Sequence, residues 1–285
     1  MTAAADAAPA DGAAVNRALV VLGMHRSGTS ALAGTFHKLG LDFGSNLMPP
    51  EEGSNEMGFW EHNSIVPIHE RALRALDSHW SDPAPLPVGW TERPEIRNLA
   101  REVVAVLRHD FARPGDWGMK DPRMCRLLPL WLPLFAEVGA RPVFVVTSRH
   151  PYEVARSLAK RDGMTLDRSY ELWYRHMAEA EAYSRGHPRV FLRYEALLAD
   201  WRGAVGRALT VLDFPALLGG MAAHGAEIDA FLTPALRHNA ADEARFRAEA
   251  PDHVQRLHAR FSATPPGGWV GRLMQLLRGR PSFGG

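Results

Sequence analysis

The chain has 285 residues, 46% hydrophobic and 23% charged, with a formal net charge of +1. That length and balance fit one large globular domain or two small ones with a sizeable core. Near-neutral charge gives no overall pull towards nucleic acid or acidic membrane, so any anion site must be local. A single cysteine, Cys125, excludes an internal disulfide framework and argues against a cysteine-built metal site. Followed by Leu127, Leu128, Leu130 and Trp131, it is expected as a small buried hydrophobe. Residues 1–15 are Ala-rich and lack the basic and apolar regions of a signal peptide, so a disordered tail is expected. No run of about 18 apolar residues occurs. No transmembrane segment is expected, and the location is read as cytoplasmic.

The first element is a buried strand over Ala18–Gly23. A helix follows over Ser30–Leu39, with Gly40 as its C-terminal glycine. Residues 42–60 are rich in Gly, Pro, Ser and Asn and read as a long functional loop. Asn63–Leu76 reads as a helix, Ser78–Trp90 as a Pro- and Trp-rich loop, and Pro94–Phe111 as a helix opened by proline. Trp117–Met119 is a short strand. Met124–Val138 is an apolar helix expected to be interrupted at Pro129 or Pro133. Pro142–Ser148 is the clearest buried strand. Helices are expected over Pro151–Arg161 and Ser169–Arg185, a strand over Arg189–Tyr194, one helix over Glu195–Leu212, and further helix beyond Phe214. Alternating helices and continuously apolar strands predict an α/β fold: a P-loop-type three-layer sandwich with a mostly parallel sheet and a helical C-terminal portion. One domain is expected over 16–275, with a flexible tail at 276–285.

Between the first strand and helix lies Gly23-Met24-His25-Arg26-Ser27-Gly28-Thr29-Ser30. A glycine-bounded turn there aims several backbone N–H groups at one point, and the helix adds its positive end. Thr29 and Ser30 add hydroxyls. The spacing matches a nucleotide-triphosphate loop, but Thr29 stands where the phosphate-reaching lysine belongs. Arg26 supplies a cation earlier. A phosphate site is expected, and ordinary triphosphate hydrolysis is disfavoured. Arg149 ends the strand Pro142–Ser148, at the sheet edge where open α/β sheets bind ligands, and its planar fork suits a phosphate. Ser157, eight residues on, shares a helix face with Glu153 and Arg161, opposite Val154 and Leu158, and is expected off the core.

The loop Arg26–Ser30 resembles the 5′-phosphosulfate loop of sulfotransferases, especially their bacterial and Golgi-type branches. The pair Arg149 and Ser157 resembles that family's 3′-phosphate site. Lys120-Asp121-Pro122 looks like the Lys-Asp-Pro segment of tyrosylprotein sulfotransferases, whose lysine assists transfer. Arg193-Tyr194-Glu195 resembles a strand-end motif that puts a tyrosine near the adenine. The set keeps the family's order over about residues 18–215. The C-terminal glycine-rich motif of cytosolic sulfotransferases has only a poor echo in Gly267-Gly268-Trp269.

The resemblance implies transfer of a sulfuryl group from 3′-phosphoadenosine 5′-phosphosulfate (PAPS) to a hydroxyl or amine. The acceptor would be a saccharide, lipid or small metabolite. The product is 3′-phosphoadenosine 5′-phosphate (PAP), and no metal is needed. Arg26, Lys120 and loop N–H groups would supply positive charge. The base must be a carboxylate or histidine near the loop. Glu61 is favoured, since Phe59 and Trp60 before it could shield it and raise its pKa. A glutamate ahead of a similar helix is the proposed base in Golgi-type relatives. His62 is the runner-up, and Glu51 and Glu52 suit a lid or acceptor contacts. His25 fits either the sulfuryl pocket or packing. Trp60 and Trp80–Trp90 fit either an acceptor platform or the core. His69, His79 and His176 read as structural or solvated. The rival reading is a P-loop kinase-type phosphotransferase; a third is a nucleotide-binding module without catalysis. No nucleic-acid partner is expected, and the sequence fixes no oligomeric state.

Overall fold

A computed structural model describes residues 16–51, 55, 57–233 and 241–263. The expected tails, Glu52, and the glycine pair at 267 and 268 lie outside the described residues. Four strands form one parallel sheet in the order β2-β1-β3-β4. They are β1 (Asn16–Leu22), β2 (Trp117–Lys120), β3 (Ala140–Ser148) and β4 (Arg189–Arg193). Helices α1 (Thr29–Lys38), α2 (Ile65–Ala75) and α3 (Pro94–Asp110) lie between β1 and β2. The helix α4 (Met124–Glu137) leads to β3, and α5 (Pro151–Asp162) and α6 (Leu166–Tyr183) lead to β4. After β4 come α7 (Tyr194–Ala199), α8 (Trp201–Val211), α9 (Pro215–Phe231), α10 (Glu243–Glu249) and α11 (Asp252–Ala263).

The pleat explains why the strands read as continuous apolar runs. Ala18, Val20 and Leu22 of β1 join Phe144 and Val146 of β3 in one core, packed under α2 to α6, α10 and α11. Leu19 and Val21 join Val143 and Val145 in a second core, under α1, α7, α8 and α9. Side chains alternate across a strand, so a sheet covered on both sides buries every position. The fold is the three-layer α/β sandwich expected, with a sheet that is wholly parallel among the described residues.

Three expectations needed correction. The helix α4 runs unbroken through Pro129 and Pro133. Its buried residues, including Trp131 and Phe135, belong to the first core, and that packing overrides local propensity. The single helix expected over 195–212 is two, because the Asp200 side chain accepts from the Gly203 N–H at 2.8 Å and caps a new start. The helix α6 begins at Leu166 rather than Ser169, capped by Thr165.

Chain order places the site. From β1 the chain first adds β2 on one flank, then returns to add β3 on the other. The crevice beyond the carboxyl ends of β1 and β3 is therefore a topological switch point, where open α/β sheets hold ligands. The phosphate loop leaves β1 there, Lys120 ends β2, Arg149 follows β3 and Tyr194 follows β4.

Candidate functional site

The loop turns on Ser27 N–H donating to Met24 O at 3.1 Å. Two residues adopt left-handed backbone, Arg26 (φ 68°) and Gly28 (φ 83°). For arginine this costs about 1–3 kcal/mol, strain of a kind that clusters at functional sites. Gly28 also has a neighbour. A Cβ there would lie 2.1 Å from Tyr194 Cδ2, so the tyrosine ring covers the glycine directly. No side chain caps the N-terminus of α1. The buried Ser27 hydroxyl has no partner among the described residues. An uncapped helix start beside an orphaned hydroxyl is what a phosphate oxygen would satisfy.

The structure divides the expected residues into two groups. The first gathers around Lys120, which is 2% exposed. Its ammonium donates to Glu61 Oε1 at 2.6 Å, Phe59 O at 2.9 Å and Ser30 Oγ at 3.1 Å. Glu61 Oε2 lies 3.3 Å from Arg123 Nη1. Asn55 donates to Ser30 Oγ at 2.9 Å. The end of the phosphate loop thus touches the lysine that holds the favoured base. Arg123 also binds Asp121 at 2.9 Å and Glu70 at 2.5 Å.

Behind this group runs a buried chain. The Trp131 indole, which can only donate, gives its N–H to His69 Nε2 at 2.8 Å. That leaves the His69 proton on Nδ1, which faces Asp121 Oδ2 at 2.8 Å. Burial pushes the Asp121 carboxyl up, but Arg123 and His69 outweigh it and hold it well below the usual range. Asp121 is a fixed anion that aims Arg123, and His69 is its strut.

The second group surrounds Arg149. Its Nε binds Glu153 at 2.7 Å and an Nη reaches Arg26 O at 3.4 Å. Its guanidinium lies 5.0 Å from the Tyr194 ring centre. Arg26 Nε donates to Ser157 Oγ at 2.9 Å. The Arg26 side chain therefore lies with Arg149 and Ser157. The cause is the left-handed backbone, which turns residue 26 towards α5. Burial first, then Arg161 and Arg149, lower the Arg26 pKa.

Other expectations changed. Ser157 faces the site, yet it is buried, because Arg26 lies across it. Tyr194 is buried between Gly28 and Arg149. His62 Nδ1 accepts from the Ser64 N–H at 3.2 Å, and its Nε2 lies 2.7 Å from Asp110 Oδ2 without hydrogen-bond geometry. Trp60 turns away from Glu61, its ring 4.6 Å from His37; the burial of Glu61 comes with two cations instead of an apolar shield. Trp90 is core. His25 is buried, 4.8 Å from the Trp80 ring; burial, then Arg123, push its pKa well down. His176 is also buried, and burial lowers its pKa to about 3. Cys125 is buried, and burial raises its thiol to about 12. Glu51 is exposed and pairs with Asn55 through the backbone.

Sequence reasoning missed Arg123, Asn55 and the His69–Trp131 chain. Arg123 had a signal, since it directly follows Lys-Asp-Pro. Asn55 and Trp131 had none.

No protein-family model matches the chain, and no curated protein matches it. Solved structures similar to it include the following three. One is the sulfotransferase domain from the curacin biosynthetic pathway, 17% identical over 87% of this chain and 98% of that one, with a TM-score of 0.46. Another is the sulfotransferase domain from the Synechococcus PCC 7002 olefin synthase, 17% identical over 90% and 98%, with a TM-score of 0.46. The third is retinol dehydratase in complex with androsterone and the inactive cofactor PAP, 15% identical over 86% and 79%, with a TM-score of 0.35. No helix among the described residues is long and apolar enough to cross a membrane.

Proposed function

We propose that this chain transfers a sulfuryl group from PAPS to the hydroxyl of a small-molecule or glycan acceptor and releases PAP. One observation carries the reading. Two residue groups suited to anions lie at the switch point, the loop and uncapped start of α1 and the Arg26–Arg149–Ser157 cluster, and the buried Lys120–Glu61 pair touches the first through Ser30. A nucleotide with phosphates at both its 5′ and 3′ positions needs two such sites; a linear triphosphate needs one. The uncapped start of α1 and the Ser27 hydroxyl suit the 5′-phosphosulfate. Arg149, Arg26 and Ser157 suit the 3′-phosphate.

Bound there, PAPS supplies an activated sulfuryl, whose bond to the 5′-phosphate oxygen breaks as the acceptor oxygen bonds to sulfur. Glu61 takes the acceptor proton. Lys120, already on Ser30 Oγ, stands where charge gathers on the departing oxygen. Arg123, fixed by Asp121 and Glu70, keeps Glu61 in place. The acid–base pair is preorganised, so little reorganisation is needed at reaction. Thr29 in place of the loop lysine weighs against the kinase-type reading.

The test is radiolabelled sulfuryl transfer from PAPS to a panel of saccharides, sterols and phenols, with PAP release followed in parallel. Label should pass to at least one hydroxyl class and fall to background in Glu61→Gln. Label transfer undiminished in that variant would contradict the assignment of the base. Phosphoryl transfer from ATP in place of sulfuryl transfer would contradict the reading as a whole.

A further inference from the structure

The helix α5 carries one more arginine towards the second anion site. Arg161 lies four residues beyond Ser157, so the two share a helix face. Helical side chains lean towards the N-terminus of their helix, which carries a long guanidinium from 161 back over the turn that holds Ser157. Among the charges that act on Arg26, Arg161 is the strongest, ahead of Arg149. Arg26 donates to the Ser157 hydroxyl, and Arg149 and Arg161 both act on Arg26 while paired with Glu153 and Asp162, so a phosphate placed beside Ser157 would meet three guanidiniums.

The way Arg161 is held is a second, independent observation. Its guanidinium carbon lies 5.3 Å from the Trp80 ring centre, and its Nε binds Asp162 at 2.9 Å. Trp80 sits in a loop tied down from below. Arg168 donates to Ser81 O at 3.0 Å, Arg126 to Asp82 O at 2.7 Å and Ala84 O at 2.5 Å, and Arg175 to Pro83 O at 2.9 Å. Four consecutive carbonyls are fixed by three arginines. The Trp80 ring also meets His25, the neighbour of Arg26. A loop that shaped itself to varied acceptors would not be pinned this way.

We propose that Arg161 is a third phosphate-binding cation of the Arg149–Ser157 site, positioned by Trp80, and that the Trp80 loop serves the nucleotide rather than the acceptor. The proposal rests on the sulfotransferase reading, in that its ligand is a nucleoside 3′-phosphate.

Calorimetric titration of wild type, Arg161→Ala, Arg161→Lys, Trp80→Ala and Trp80→Phe with PAP and with AMP tests it. Arg161→Ala should weaken PAP binding about tenfold or more, the scale of a charge-assisted contact, with AMP unchanged. Arg161→Lys should recover part of the loss, because it keeps the charge but not the fork. Trp80→Ala should show a smaller loss confined to PAP, and Trp80→Phe should restore it. Should Arg161→Ala fail to fold, Arg161→Gln keeps the stem and a polar end without the charge and carries the same expectation. Unchanged PAP affinity, or an equal loss for PAP and AMP, overturns the role of Arg161. A wild-type protein with no preference for PAP over AMP overturns the whole 3′-phosphate reading, Arg149 included, and that failure is visible before any variant is made.

Discussion

Replacing Glu61 by Gln and Lys120 by Met, singly and together, probes the centre of the site. Lys120 is almost fully buried with three acceptors, of which only Glu61 is charged. Breaking one side of a buried ion pair costs about 3–5 kcal/mol when the other charge is stranded. Here Lys120 would keep Ser30 and Phe59 O, and a glutamine carbonyl could still accept, so Glu61→Gln should cost about 2–3 kcal/mol. Lys120→Met leaves Glu61 with Arg123 at 3.3 Å and should cost a similar amount. The double variant strands neither charge, and it should cost less than the sum of the singles by about 1–3 kcal/mol. Urea unfolding followed by tryptophan fluorescence gives the three values. In parallel, Glu61→Gln should lower turnover by about 10²–10⁴-fold, with PAP affinity nearly intact. Additive stability losses would refute the pairing, and wild-type turnover in Glu61→Gln would refute its role as base.

Further outcomes follow from other contacts. Gly28→Ala must place a Cβ 2.1 Å from the Tyr194 ring and keep φ at 83°, which should cost about 2–4 kcal/mol; Tyr194→Ala in the same chain should recover much of it, and unfolding midpoints show whether it does. Arg149→Ala should weaken PAP binding far more than AMP binding by calorimetry, and equal weakening would remove Arg149 from the 3′-phosphate site. Burial depresses His176 to about 3 from 6.5. The unfolded chain therefore binds a proton that the folded chain refuses, so stability is full above about pH 6.5 and falls as the pH drops towards 3, by up to about 1.4 kcal/mol per pH unit for this group. His176→Leu should flatten that slope in urea titrations between pH 7 and 4; an unchanged slope would mean that His176 is not the group responsible.

The fold was legible because its signals are local. Continuous apolar strands, a glycine turn and helix-start residues each act over a few positions, and they fixed the three-layer architecture. The errors at α4 and Asp200 also have a local reading, but tertiary packing decided the first and one capping carboxylate the second. Site residues were legible where a motif names them, as with Lys120, Arg149 and the loop. Side-chain direction was not. The turn of Arg26 towards Ser157 was not legible, because a left-handed backbone cannot be read from a non-glycine residue. The approach of His62 to Asp110 was not legible either, since Asp110 lies 48 residues away on α3. The support of Asp121 by His69 and Trp131 spans elements far apart in sequence, and no spacing announces it.

The central claim is that two phosphate sites flank the switch point between β1 and β3. Calorimetric titration of the purified protein with PAP, with ATP as the control, tests it most directly. The account predicts tight PAP binding and weak ATP binding. ATP bound as well as PAP, or better, would contradict it, and would move the lead to a P-loop kinase-type phosphotransferase.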